Sequence, residues 1–336
     1  MIRLEKPMLL MKILKLLLVV TCFAPQSVLA QVDATNKLPD EYESAGGTSN
    51  GFGNGGVAIT TGIAAVRTNP AMLSELKEYT VNMGYHWPTT GREFFQAGVV
   101  DSKTSNVAAG FSYTGFNDDY DKSQLGSVKL EYDSPIIKRA ALAFAQPVGA
   151  MSAGIGGTYV EAHPLRGSEE FSRDQKKIKG YALNFGLAGY ATQRIRWAVS
   201  TENISNKKIK DYAPTTYRVG GAYLVTGDQL SLHLDYKQRQ KVAYFEAPEV
   251  NISTGEYSEE FVNTEKIVIA SFSAKIYDLL RLLGAYGNVV EEDRQTLSGG
   301  IALINQKFSL SYTINKPNLK LAETHNSLNL GFAIAM

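Results

Sequence analysis

The chain has 336 residues and a formal net charge of +1, with hydrophobic residues at 44% and charged residues at 20%. This near-average composition argues against disorder and against a nucleic-acid-binding surface, and no strongly acidic or basic segment points to a charged partner. Glycine (30) and tyrosine (18) are plentiful. Glycine at this level is poor for helices but common where strands bend around a barrel.

The N-terminus reads as an export signal. Lys12 and Lys15 flank the start of an apolar run from Leu14 to Ala24, followed by Pro25-Gln26-Ser27 and then Val28-Leu29-Ala30. Small residues two apart before Gln31 predict cleavage after Ala30, and Met8 or Met11 can serve as the start. The run is short for a membrane-spanning helix, which needs about 20 residues. Cys22 is the only cysteine. Lipid acylation there would need a small residue before it, where Thr21 stands, so Cys22 reads as part of the discarded signal. The mature chain then has no disulfide, cysteine nucleophile or thiolate metal site.

Residues 31–78 are not strand-like. The segment begins polar, becomes glycine-rich over Gly46–Gly56, and continues as GGVAITTGIAAVRTNPAML from Gly55 to Leu73. The Asn69-Pro70 step favours a turn over a continued helix. A plain periplasmic arm is one reading; a plug inside a barrel is the other.

From Tyr79 onward the chain alternates in segments of about ten residues, the length at which a tilted strand crosses a bilayer. Strands are predicted near 79–87, 93–101, 105–114, 137–146, 150–160, 178–190, 194–203, 215–225, 229–238, 264–275, 279–290, 295–304, 307–314 and 326–335. In the first, Tyr79, Val81, Met83, Tyr85 and Trp87 oppose Thr80, Asn82, Gly84 and His86. In Leu230–Tyr236, three leucines and Tyr236 oppose Ser231, His233 and Asp235. In the last, Leu328, Leu330, Phe332, Ile334 and Met336 oppose Ser327, Asn329, Gly331, Ala333 and Ala335. Apolar and polar or small residues thus alternate with period two.

Connections alternate in length as well. Tight ones fall at 102–104, 147–149, 191–193, 226–228, 276–278 and 305–306; the others include long polar ones at 115–136, 161–177, 204–214, 239–263 and 315–325, while two of that set, at 88–92 and 291–294, are short. Short periplasmic turns opposite longer external loops are the asymmetry of an outer-membrane barrel. Tyr79, Trp87, Tyr113, Tyr159, Tyr190, Tyr217 and Tyr236 lie toward strand ends, as interfacial girdles do. The expected fold is therefore an all-β transmembrane antiparallel barrel of about fourteen strands over 79–336, with outer-membrane lipid around it. A periplasmic β-sandwich or propeller is the rival, but no blade repeat appears at 40–50 residues. No later stretch approaches 18 consecutive apolar residues, so spanning by helices is excluded. A lumen of about fourteen strands needs partial filling, which favours the plug.

The stretch from Gly55 to Leu73 resembles the N-terminal signature of FadL-type outer-membrane transporters and the related PorV-like barrels. Gly55, Gly56, Val57 and Ala58 match its glycine-rich first part, and Asn69, Pro70, Ala71 and Leu73 its Asn-Pro-Ala second part; Met72 replaces the usual glycine. The resemblance implies fourteen strands, an N-terminal hatch in the lumen, passage of hydrophobic small molecules (fatty-acid-like or aromatic), and lateral release through a strand defect. PorV-like relatives imply the alternative of a secretion or surface-attachment partner. No ligand-contact residue carries over. The last residue is Met336, where an aromatic is usual for assembly; Phe332 lies on the same face.

Ser231, His233 and Asp235 invite a catalytic reading. Residues two apart on a strand face are separated by roughly 6.5–7 Å, too far for a direct relay, so they read as polar lining. The four histidines are His86, His163, His233 and His325, and no ligand spacing among them suggests a metal. No catalytic residue, cofactor or metal is therefore expected. Arg194, Arg196, Glu202, Arg218, Asp235 and Lys237 are assigned to polar faces, as solvated lining or as salt bridges holding the plug, the former favoured. The loop at 239–263 carries Phe245, Val250, Ile252, Tyr257 and Phe261, read as packing over the barrel mouth.

Overall fold

The computed structural model describes residues 51–75, 77–88, 94–116, 136–163, 178–205, 209, 213–225, 229–242, 262–290, 294–305, 307–317 and 325–334. The predicted signal peptide (1–30), the first part of the predicted plug segment, and the 239–263 aromatic residues lie outside them.

Fourteen antiparallel strands close into one barrel: β1 (Tyr79–Pro88), β2 (Phe94–Asp101), β3 (Ala108–Phe116), β4 (Ile136–Val148), β5 (Met151–His163), β6 (Ile178–Thr192), β7 (Ile195–Ser205), β8 (Thr216–Leu224), β9 (Leu230–Val242), β10 (Val262–Lys275), β11 (Leu280–Val289), β12 (Arg294–Ile304), β13 (Phe308–Pro317) and β14 (His325–Ile334). Each strand pairs with its sequence neighbours, and β1 closes on β14 from Tyr79↔Ile334 to Pro88↔His325. Closure leaves no sheet edge, which a chain in hydrocarbon requires because no water satisfies an open edge.

The alternating faces fall as the residue pattern dictates. On β9, Leu232, Leu234 and Tyr236 point outward while Ser231, His233, Asp235, Lys237 and Arg239 are buried within. Large apolar side chains cover the outside, with Leu234 61% exposed and Met83 56% exposed. In water each would forfeit about 1.5–3 kcal/mol of burial; in a bilayer the same surface is solvated by lipid tails. The exterior is that of a membrane-spanning barrel.

One boundary moves. The third strand, expected from 105, begins at Ala108 because the Asp101 carboxylate accepts hydrogen bonds from the Lys103 and Thr104 amides and the Thr104 hydroxyl, and Ser105 Oγ accepts from Val107 N–H. These side chains offer the backbone a local turn in place of the ladder. Between β6 and β7 the register shifts at Leu183/Phe185 and at Tyr190/Thr192. At the first shift Asn203, with φ 59°, donates its N–H to Asn184 Oδ1 at 2.8 Å, so a buried side chain replaces a ladder partner.

Residues 51–75 pack against inward-facing side chains. They hold a short helix, α1 (Ile63–Thr68), and a 3-10 turn (Pro70–Ser74), all of whose residues are buried. The helix ends where the residue before a proline is driven out of helical geometry: Asn69 is extended at φ −157°, ψ 92°.

Candidate functional site

The two halves of the Gly55–Leu73 motif meet in space through one side chain. Asn69, fully buried, donates from Nδ2 to the Val57 carbonyl at 3.1 Å and accepts at Oδ1 from the Ala71 N–H at 3.2 Å. It therefore caps the 3-10 turn and ties it to the Gly55–Ala58 stretch, a dual role an asparagine can fill because it carries both donor and acceptor. Val57, Ala58, Ala71 and Leu73 are all buried in one apolar cluster with Met72, the departure from the usual glycine.

The first half is clamped to the barrel wall. Gly56 adopts φ 75°, which turns its N–H and that of Val57 toward the same carboxylate. Gly56 N–H donates to Asp235 Oδ2 at 2.6 Å and Val57 N–H to Asp235 Oδ1 at 3.0 Å. Asp235 lies opposite Gly220 on β8, and a side chain at Gly220 would place its Cβ 2.1 Å from Asp235 Oδ1 and 2.5 Å from Val57 Cγ1. The glycine opens the space in which clamp and wall meet.

The second half sits on a flattened patch. Gly154 on β5 and Gly186 on β6 are register partners. A Cβ at Gly154 would lie 2.4 Å from the Ala71 nitrogen, and one at Gly186 2.0 Å from Asn69 Oδ1. Only residues without a side chain let Asn69-Pro70-Ala71 approach the wall this closely. Beyond it Ser74 Oγ bonds Ser152 Oγ at 2.9 Å. At the tight-turn rim Tyr190 OH donates to Glu75 Oε2 at 2.9 Å, with Arg196 stacked 4.6 Å over the Tyr190 ring and 3.7 Å from Glu75.

Between these contacts runs a buried ion network. Glu202 accepts from Arg67 of α1 at 3.1 Å and from Arg218 of β8 at 3.1 Å, all three side chains being no more than 4% exposed. Arg218 also donates to the Asn54 carbonyl at 2.9 Å. The side of α1 facing β2–β4 differs in kind: Ile63, Val66 and Leu73 meet Val100, Ala108, Ala141 and Ala143 in one apolar cluster. Cβ atoms built at Gly98 and Gly110 would crowd Ile63 and Val66, at 2.7 and 2.8 Å. Residues 51–75 thus meet β2–β4 through apolar contacts, and toward β7–β9, where the same apolar cluster continues to Ala198 and Ala222, the ion pairs and the Asp235 clamp are added.

Several expectations are corrected here. Glu202, Arg218 and Asp235 are paired and buried and do not form a solvated lining. These three meet complementary groups on residues 54–67, and Arg196 of β7 reaches Glu75, partners that no pattern within a strand discloses. Arg194 is not on an inward face; it is exposed in the turn between β6 and β7. Ser231 and His233 do bond directly, Nε2 to Oγ at 2.8 Å, with Nδ1 3.0 Å from Ser271 Oγ. The long imidazole leans along the strand, so backbone spacing does not bound the gap between side-chain tips. Asp235 faces the Gly56–Val57 amides instead, and Phe52 packs edge-on against His233 at 5.1 Å between centroids. The three residues of the suspected triad form no relay. His86 is buried and stacked on Phe94 at 4.1 Å; no metal-binding cluster occurs among the described residues.

Solved structures of similar architecture bear on this arrangement. The Ralstonia pickettii toluene transporter TbuX superposes with a TM-score of 0.56 at 13% identity, covering 90% of this chain and 98% of that one. The P. putida toluene transporter TodX gives 0.50 at 12% identity, over 85% and 96%. A deltaS2S3 mutant of TodX, a monoaromatic hydrocarbon channel, gives 0.52 at 12%, over 86% and 97%. This chain shares their fold. At the level of the fold, that agrees with the resemblance to FadL-type barrels read from Gly55–Leu73. No family model matches the sequence, and no curated protein matches it.

Proposed function

We propose that this protein is an outer-membrane transporter of hydrophobic small molecules in which residues 51–75 form the gate, as part of a plug extending over 31–78. The two-sided packing of that segment carries the reading. A hydrophobic solute can replace the contacts between α1 and β2–β4 with its own apolar surface at little cost. Separating Arg67 or Arg218 from Glu202 would strand charges away from water. The favoured path therefore runs along β2–β4, with the β7–β9 side as the fixed edge. The apolar exterior supports a membrane location, and the shared fold with two toluene transporters supports the outer membrane and the class of solute. Nothing in these comparisons favours a secretion or surface-attachment role.

The test is uptake of labelled toluene and of a long-chain fatty acid by cells lacking the protein, complemented by the parent or by a Val66→Cys/Gly110→Cys pair. Deletion should slow uptake of at least one compound. Oxidising the cysteine pair should block complementation, and a reductant should restore it. Equal uptake with and without the protein for both compounds, together with no amphiphile binding by the purified barrel, would sink the proposal.

A further inference from the structure

Between the Asn54–Val57 stretch and strands β8–β10 lies a small, partly open space bordered, among others, by Asn54, Gly55, Val57, Arg218, Asp235 and Lys237. It leaves about 10 Å³ for the centre of a water-sized sphere, about the room one water molecule needs. Two of the bordering side chains bring buried polar atoms without a hydrogen-bond partner among the described residues: Asn54 Oδ1 and Arg218 Nε. Arg218 is 4% exposed, and its other two nitrogens are engaged, Nη1 with the Asn54 carbonyl at 2.9 Å and Nη2 with Glu202 at 3.1 Å. The buried backbone and side-chain polar groups of a folded protein are rarely left unmatched, and where protein atoms do not serve, an ordered water does.

We propose that this space is a binding site for one water molecule, accepting a hydrogen bond from Arg218 Nε and donating one to Asn54 Oδ1. The two orphan atoms have opposite roles, one donor and one acceptor, and only a group that can do both satisfies them together. An anion would meet the Arg218 guanidinium and the Lys237 side chain but also the Asp235 carboxylate and the Asn54 carbonyl oxygen. A cation would meet that carboxylate but also the guanidinium. A neutral water avoids both conflicts and fits the volume. With it bound, Arg218 has a partner at each of its three nitrogens, and Asn54 is held to the same guanidinium by its backbone and, through the water, by its side chain. The network then runs without a break from Arg67 on α1 through Glu202 and Arg218 to the Asn54 turn. The Asn54 turn and the helix, although separate in the chain, are held by one guanidinium. This inference rests on the clamp geometry and is independent of what the barrel transports.

The test is a crystal structure of the full-length mature chain in detergent, at a resolution that shows ordered waters, from crystals grown with and without sodium bromide. The expected result is a single peak within hydrogen-bonding distance of both Asn54 Oδ1 and Arg218 Nε, without anomalous signal in the bromide crystals. A bromide signal there would make the site an anion site and overturn the proposal. So would an empty space, or one closed by a rotated Asn54 or Arg218 side chain.

Discussion

Replacing Asp235 by asparagine isolates the clamp between the wall and the Gly56–Val57 turn. In the parent, one carboxylate accepts from two buried backbone N–H groups, at 2.6 and 3.0 Å. Asparagine offers one oxygen and turns an NH₂ toward the second N–H, so at least one amide is stranded. A buried donor left unmade costs about 1–3 kcal/mol, and the lost charge adds to this, so about 3 kcal/mol is expected. The barrel ladder does not depend on this contact, so the loss should appear as local detachment of residues 55–58 and not as melting of the whole protein. Cys22 is the single cysteine and falls in the expected signal peptide, so Ala58→Cys gives the mature chain one reporter thiol; Ala58 is 2% exposed. Where opening is fast relative to labelling, the maleimide rate follows the open population, and 3 kcal/mol corresponds to roughly a hundredfold faster reaction. Asp235→Glu should fall between parent and asparagine. A rate within about threefold of parent in Asp235→Asn, with strand content and heat-dependent gel mobility unchanged, would show that the carboxylate does not hold the turn.

The same reporter reads the other contacts. Gly154→Val and Gly186→Val should each free the Asn69–Ala71 turn and accelerate labelling, whereas Gly157→Ala, whose Cβ would meet nothing nearer than 4.0 Å, should leave the rate as in the parent; equal effects at all three sites would contradict the close-approach argument. Glu202→Gln should weaken both guanidinium contacts and cost about 3 kcal/mol, since it breaks a buried ion network by one partner; hydrogen exchange of residues 63–68 should speed up by about two orders of magnitude, and unchanged exchange would refute it. Asn69→Ala should cost about 1 kcal/mol for the lost cap and a comparable amount for the lost Val57 contact. Asn69→Ser should keep the cap through its hydroxyl and lose only the Val57 tie, so a variant series in which serine is as disruptive as alanine would be against the dual role.

Much of the fold was legible before any coordinates. Period-two alternation assigned the inward and outward faces of β1 and β9 as observed, because a strand sends successive side chains to opposite sides whatever it pairs with. Alternating connection lengths likewise placed the tight turns at one end. Where a strand start was missed, at β3, a side-chain turn of a kind that competes with the ladder was responsible. The region 51–75 was recognised as different, and the Asn69-Pro70 break was expected, but not the six-residue helix before it. That helix is too short to announce itself by periodicity and is held by the wall around it.

The chain by itself favoured a membrane barrel over a soluble β-fold, since apolar residues at every second position of strands this long suit lipid outside and every backbone group in hydrocarbon needs a strand partner. It also determined which residues of 55–73 are set apart, through glycines that permit positive φ and an asparagine before a proline. Only the tertiary structure decided what these residues touch. That Asp235 holds Gly56 and Val57, that Glu202 joins Arg67 to Arg218, and that Gly154 and Gly186 admit Asn69-Pro70-Ala71 are matters of contact between segments far apart in the chain. Local periodicity carries the direction of a side chain but not the identity of the group across the lumen.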